Sequence, residues 1–215
     1  MSELTDSLTL ILQWMEKVEP DGSSLLPGLE LCDIQKKTRS FPFPLPCEVQ
    51  EVYQWRNGFS RSVSETLGFM SFFTLEEAVS TYHDRIEQFR QDGIIWYRQW
   101  FPLFQSDASW LFVSCPKQQG ASSPVFCYDF KAHNDMRPSA LYCSLTSMMQ
   151  TIVECWNIGA YYMAESRRRP GYFSMKHDPE LFKEIHLRYN PNIEQLRDSF
   201  IPENEFWNKK YLEDI

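Results

Sequence analysis

The order of apolar patterns along the chain predicts an α+β fold, and three observations carry that prediction. Three β-rich runs, Trp100 to Phe104, Trp110 to Cys115 and Val125 to Phe130, follow one another with only the polar breaks Gln105 to Ser109 and Pro116 to Pro124 between them, as in an antiparallel meander. Stretches with a 3.6-residue apolar period lie before and after this group. The strands are grouped and do not alternate with helices, which separates α+β from α/β.

The elements follow in order. Leu4, Leu8, Ile11, Leu12, Met15 and Val18 form one helical face, stopped by Pro20, Asp21 and Gly22. A weaker helical stretch, Leu29 to Lys37, runs into Ser40 to Pro46, whose three prolines remove backbone donors and impose extended geometry. A short helix is expected from Pro46 to Arg56 with Val49, Val52 and Tyr53 on one face, ended by Asn57-Gly58. Phe69 to Phe73 reads as a strand. Thr74-Leu75-Glu76-Glu77 then forms a capping box, followed by the helical face Leu75, Ala78, Val79, Tyr82, Ile86 and Phe89, fading at Asp92-Gly93. After the meander, Ser144 is the N-cap of a long amphipathic helix carrying Leu145, Met148, Met149, Ile152, Val153, Trp156, Gly159, Ala160 and Met163 on one side. Past the run Arg167-Arg168-Arg169-Pro170-Gly171 a shorter helix is expected from Pro179 to about Leu187, capped by Asp178, before Asn190-Pro191 and an aromatic, charged tail. These changes divide the 215 residues into a domain at 1–166 and a C-terminal helical or irregular extension at 167–215, packed on the domain or trailing it.

Composition bounds the function. With 43% apolar and 15% aromatic residues the chain can bury a core. Acidic side chains outnumber basic ones 29 to 21, a net charge of −8, so a phosphate-binding face and hence a nucleic-acid ligand are disfavoured. The acidity instead speeds encounter with basic proteins. The amino-terminal helix carries Glu3, Asp6 and Glu16 within its apolar pattern, unlike a signal peptide, and no stretch approaches the ~18–20 apolar residues of a membrane span. A cytoplasmic protein that uses no membrane is expected. Cys32, Cys47, Cys115, Cys127, Cys143 and Cys155 form no C-x-x-C pair and read as reduced thiols.

Residues with chemical potential are scattered. His83, His133, His177 and His186 match no metal-binding spacing. Cys143 precedes a helix N-terminus, where a thiol can be activated with His133 as a base, but a small core residue is the more economical reading. Glu76-Glu77 is accounted for by capping, Asp129 with Asp135 is a carboxylate pair without further context, and Met148-Met149 fit a core face. Arg167 to Arg169 suits a phosphate or an acidic partner, or else a solvated hinge after a long helix. The glycines make no phosphate loop. No cofactor, metal or catalytic residue is therefore assigned, and a non-enzyme is expected.

Taken together, Leu45-Pro46 leading to Val52-Tyr53-Gln54-Trp55-Arg56-Asn57-Gly58, then Phe72-Phe73-Thr74-Leu75-Glu76-Glu77-Ala78, Trp100-Phe101-Pro102-Leu103-Phe104, Ser123-Pro124-Val125 and Ser144-Leu145 make residues 1–165 resemble the SUKH superfamily, which includes fungal cell-wall synthesis regulators and bacterial immunity proteins. The resemblance implies a central mixed, largely antiparallel sheet with helices packed around it, and a role in binding other proteins without catalysis. Under it, the chain is expected to be an immunity protein neutralising a basic toxin domain, or alternatively a cytoplasmic regulatory scaffold of the cell-wall-regulator kind. The partner face is expected at the sheet edge and its loops, with Asp107, Trp110 and Asp129 as partner-binding residues, the Trp as an exposed anchor beside carboxylates.

Overall fold

A computed structural model describes residues 2–18, 25–59, 70–92, 97–106, 109–115, 120, 122–129, 138–166, 169–194 and 196. The elements run α1 (Glu3–Val18), β1 (Leu25–Pro27), α2 (Leu31–Lys37), α3 (Cys47–Trp55), β2 (Arg56–Phe59), β3 (Ser71–Phe72), α4 (Leu75–Asp92), β4 (Trp100–Ser106), β5 (Ser109–Ser114), β6 (Val125–Asp129), β7 (Ser139–Tyr142), α5 (Leu145–Asn157), β8 (Tyr161–Ser166), β9 (Arg169–His177) and α6 (Pro179–Tyr189). The fold is α+β. Strands β3 to β7 make one five-stranded sheet in chain order, and every strand pair among the described residues is antiparallel.

The first face of the sheet carries Phe101, Leu103, Phe104, Leu111, Val113 and Val125 into a core shared with the apolar stripes of α1, α3, α4 and α5. On the opposite face Trp100, Trp110, Phe112, Phe126 and Tyr128 form a second cluster, covered by Ile86, Tyr97, Ile193 and Leu196. Both faces are thus buried, and the residues after α6 supply part of the second cover. Pro102, which lacks an amide hydrogen, sits where the β4–β5 register shifts, a bulge that tolerates the missing donor.

Helix ends are closed by side chains both within a turn and remote in sequence. The Thr74 hydroxyl accepts from the Glu77 amide at 3.1 Å while the Glu77 carboxylate accepts from the Thr74 amide at 2.8 Å, the expected capping box. A third donor of α4, the Leu75 amide, goes to Oδ1 of Asn57 at 2.8 Å. Asn57-Gly58 lies in β2 and does not terminate α3, because Arg56 is already extended (φ −152°, ψ 144°). Gly58 has φ +74° and stands so close to the link between β3 and α4 that a Cβ would come within 2.3 Å of the Thr74 nitrogen, which explains the glycine. At α5, Ser144 and Ser147 form a reciprocal cap, and Glu48 of α3 accepts from the amides of Leu145 (3.3 Å) and Thr146 (3.1 Å). The carboxylate so placed meets the positive end of the helix dipole.

Two further features differ from the sequence expectation. Strands β1, β2, β7, β8 and β9 have no counterpart in it. Helix α5 stops at Asn157 instead of running to Met163, since Gly159 turns the chain at φ +78° into β8. Around residue 166, Tyr161 pairs with His177 and Ser166 with Arg169, so the boundary expected there falls at the turn of a hairpin. Beyond it Met175 and Ile185 are buried in the main core. Asp178 caps α6 through bonds from the amides of Glu180 and Leu181, both 3.0 Å. Among the described residues no helix is long and apolar enough to cross a membrane.

Candidate functional site

The residues expected to bind a partner sit at one end of the sheet. Ser106 pairs with Ser109 across the β4–β5 turn, and Ser109 pairs with Asp129, the last residue of β6. Asp107 lies in that turn, outside the described residues. Trp110 is not the exposed anchor expected: it is 5% exposed, in the cluster on the second face, and the guanidinium carbon of Arg85 stands 3.7 Å from its ring centroid. Burial holds the Arg85 pKa below its ordinary value, with Asp84 acting in the opposite direction. The Trp110 ring is already occupied by a cation of its own chain.

The same end of the sheet holds a cleft of about 260 Å³ on the first face. Leu111 and Cys127, which are register partners, lie beside Ser106 and Ser109 on the sheet side, and Leu141 and Tyr142 of β7 close one flank. Tyr161, His177 and Phe182, from β8, β9 and α6, make the facing wall, and Met70 completes the lining. Phe182 stacks on Tyr161 with centroids 5.9 Å apart and on His186 at 5.6 Å. His186 in turn donates from Nε2 to the Leu141 carbonyl at 2.6 Å, joining α6 to the edge strand.

Asn190 sets the position of α6. Fully buried, its Oδ1 accepts from the Cys143 amide and the Ser147 hydroxyl, both at 2.8 Å, while Nδ2 donates to the His186 carbonyl at 2.9 Å and the Thr151 hydroxyl at 3.3 Å. All four hydrogen-bonding positions of the amide are used, which fixes its orientation and locks the end of α6 to the start of α5.

The chemistry available in the cleft is that of apolar contact. Burial pushes the phenols of Tyr142 and Tyr161 far above the ordinary tyrosine value, so both stay neutral. Among the described residues that line the cleft there is no carboxylate, and His177 brings an imidazole. Among the described residues, a larger concavity of about 560 Å³ is lined by α6 and its cap, from Asp178 to Leu187.

The remaining sequence candidates are dispersed. His83 is exposed and bonds the Ser40 hydroxyl at 3.0 Å. His133 and Asp135 lie outside the described residues, as do Arg167 and Arg168. Cys143 is half-buried against the second cluster, and Met148 and Met149 are in the core. Glu77 closes the capping box, and Glu76 pairs with Lys37 and Asn57. None of the six cysteines is in a disulfide. Burial drives the Cys155 thiol up to about 12 and raises Cys115 further, so neither is a thiolate near neutral pH. Among the described residues no group of three or more His, Cys, Asp or Glu is placed to hold a metal ion. Sequence reasoning missed the lining of the cleft, and no local signal marks it, because it is assembled from six strands and one helix.

No family model matches the chain, and no curated protein matches it.

Proposed function

We propose that this chain is a non-enzymatic, cytoplasmic protein-binding module of the SUKH type, acting as an immunity protein that binds and neutralises a basic toxin domain. The observation that carries the proposal is the apolar cleft at the sheet end, lined by Ser106 and Ser109 among others, in a protein of net charge −8. Acidity favours encounter with a basic protein, and a desolvated apolar pocket gives the encounter a place to become specific. The resemblance adds support, because its motif residues hold one another: Asn57 bonds the Leu75 amide, Gly58 packs against Phe73 and Thr74, and Glu48 bonds the start of the Ser144-Leu145 helix. Those residues serve architecture and leave the cleft for binding.

The test is affinity capture with the full chain from native lysate, followed by expression of the captured protein alone and together with this chain. One stoichiometric partner whose toxicity co-expression relieves would support the proposal. Several harmless partners would replace it with the regulatory-scaffold reading, and turnover of a captured small molecule would overturn both.

A further inference from the structure

We infer that the cleft between β5–β6 and the Tyr161–Phe182 wall is a binding site for a small, neutral, largely apolar molecule with one hydrogen-bond acceptor, held by the Tyr142 hydroxyl. The inference goes beyond the protein-binding reading and does not rest on it. Its first support is the phenol itself. Tyr142 is 5% exposed and lines the cleft, and its hydroxyl makes no hydrogen bond among the described residues. The Tyr53 hydroxyl is sealed in the core without a partner, whereas this one still opens on the cleft. Buried polar groups are nearly always paired, and an unpaired one carries a cost that a suitable occupant removes. Burial above all, with the Cys155 and Cys127 thiols adding to it, keeps the phenol protonated. It is therefore a donor, and what it lacks is an acceptor. The ring is already placed: residue 142 pairs with Val125 in the sheet, and the ring meets His186 edge-on at 5.2 Å. A donor fixed before the ligand arrives loses little freedom on binding.

Volume and lining set the rest of the molecule. An apolar cavity of about 150 Å³ holds benzene, so the cleft, at about 260 Å³, has room for one ring with a short substituent. Drug-sized ligands occupy larger pockets, roughly 300–1,000 Å³. Met70, Leu111, Leu141 and Phe182 surround the donor with thioether, aliphatic and aromatic surface, and Ser106 and Ser109 add uncharged hydroxyls. The described lining holds no Lys, Arg, Asp or Glu, so a charged molecule would be desolvated without an ionic partner. An uncharged ring bearing a carbonyl or ether oxygen meets all three requirements.

Acetophenone is the probe. Ethylbenzene, in which two hydrogens replace the carbonyl oxygen, and benzoate, which carries a charge, are the comparisons. Titrated into the methyl-labelled full chain at about pH 8, where free imidazole is neutral, acetophenone should shift the Met70, Leu111 and Leu141 methyl signals saturably, with a Kd at or below about 1 mM. Benzoate should bind at least about tenfold more weakly. Tyr142→Phe removes the hydroxyl and nothing else. Acetophenone should then bind about five- to tenfold more weakly, while ethylbenzene binds as before or tighter. Comparing the two ligands across the two proteins cancels their different hydration. The melting temperature of Tyr142→Phe should be unchanged or raised, because the hydroxyl has no protein bond to lose.

Absence of a saturable shift, shifts away from the cleft, or benzoate binding as tightly as acetophenone would each overturn the inference. Equal acetophenone affinity in the parent and Tyr142→Phe would do the same, as would parallel losses for acetophenone and ethylbenzene. A Tyr142→Phe variant that melts well below the parent, or does not fold, also overturns it, since the hydroxyl would then be bonded within the protein.

Discussion

Replacing Asn190 by Leu isolates the hydrogen-bond network that seats α6 and therefore the Phe182 wall of the cleft. Three of the four partners keep an alternative. The Ser147 hydroxyl can donate to the Ser144 carbonyl, 3.0 Å away, the Thr151 hydroxyl already donates to the Ser147 carbonyl at 2.7 Å, and the His186 carbonyl retains the backbone amide of residue 190 at 2.9 Å. The Cys143 amide has only Asn190. The expected cost is that of one orphaned, largely buried donor, about 1–3 kcal/mol, against a typical total stability of about 5–15 kcal/mol. Asn190→Asp provides the internal control. It keeps the acceptor for Cys143 and Ser147 but buries a carboxylate whose second oxygen faces the His186 carbonyl, so its folded pKa must rise above the unfolded value of about 3.9. With the folded pKa raised, the stability of Asn190→Asp is fully present below the unfolded pKa and is lost as pH rises through the folded one, by up to about 1.4 kcal/mol per pH unit. Urea denaturation followed by tryptophan fluorescence at several pH values reads both. A cost for Asn190→Leu below about 0.5 kcal/mol, well under the orphaned-donor range, would refute the reasoning. So would an Asn190→Asp variant whose stability difference from the parent does not change with pH.

Further outcomes can be measured with the same assays. Gly58→Ala should fail to fold or lose several kcal/mol, since its Cβ would meet backbone at 2.3 Å, whereas Gly159→Ala, also at positive φ but with nothing within 4 Å, should lose only about 1–2 kcal/mol. Glu48→Ala should cost about 1 kcal/mol through the amides of Leu145 and Thr146, and Glu48→Gln less. Stoichiometric alkylation of the native protein should label the exposed Cys32 and Cys47 first, Cys127 and Cys143 more slowly, and Cys115 and Cys155 only with unfolding; prompt labelling of Cys115 would contradict its burial.

Where local chemistry decides the structure, the sequence was sufficient. The boxes at Thr74 to Glu77, Ser144 and Asp178 need only residues within a turn, and all three form. Asn57-Gly58 looked like a helix stop because the pair favours left-handed backbone. Its actual use is tertiary: the Asn side chain caps α4 and the Gly admits Phe73 and Thr74, contacts that no window of residues 50–60 contains. The four-residue strand β7 has little strand character of its own and is drawn into the sheet by pairing with β6. Ala160 and Met163 continue the helical period of α5, and Gly159 is the local signal that the chain turns there.

Trp110 is the instructive case, because a signal was present and pointed the other way. The run Trp110-Leu111-Phe112-Val113 is apolar at every position, whereas a strand with one wet face alternates apolar and polar residues. Such a run requires two buried faces, so something beyond the helical layer had to cover the second one. The candidates were in the segment after residue 166 treated as an extension, and Ile193 and Leu196 do provide that cover. Both faces of the sheet's middle are covered, and Ser106, Ser109 and Cys127 line the cleft at one corner of it, the place that the proposed function assigns to a partner.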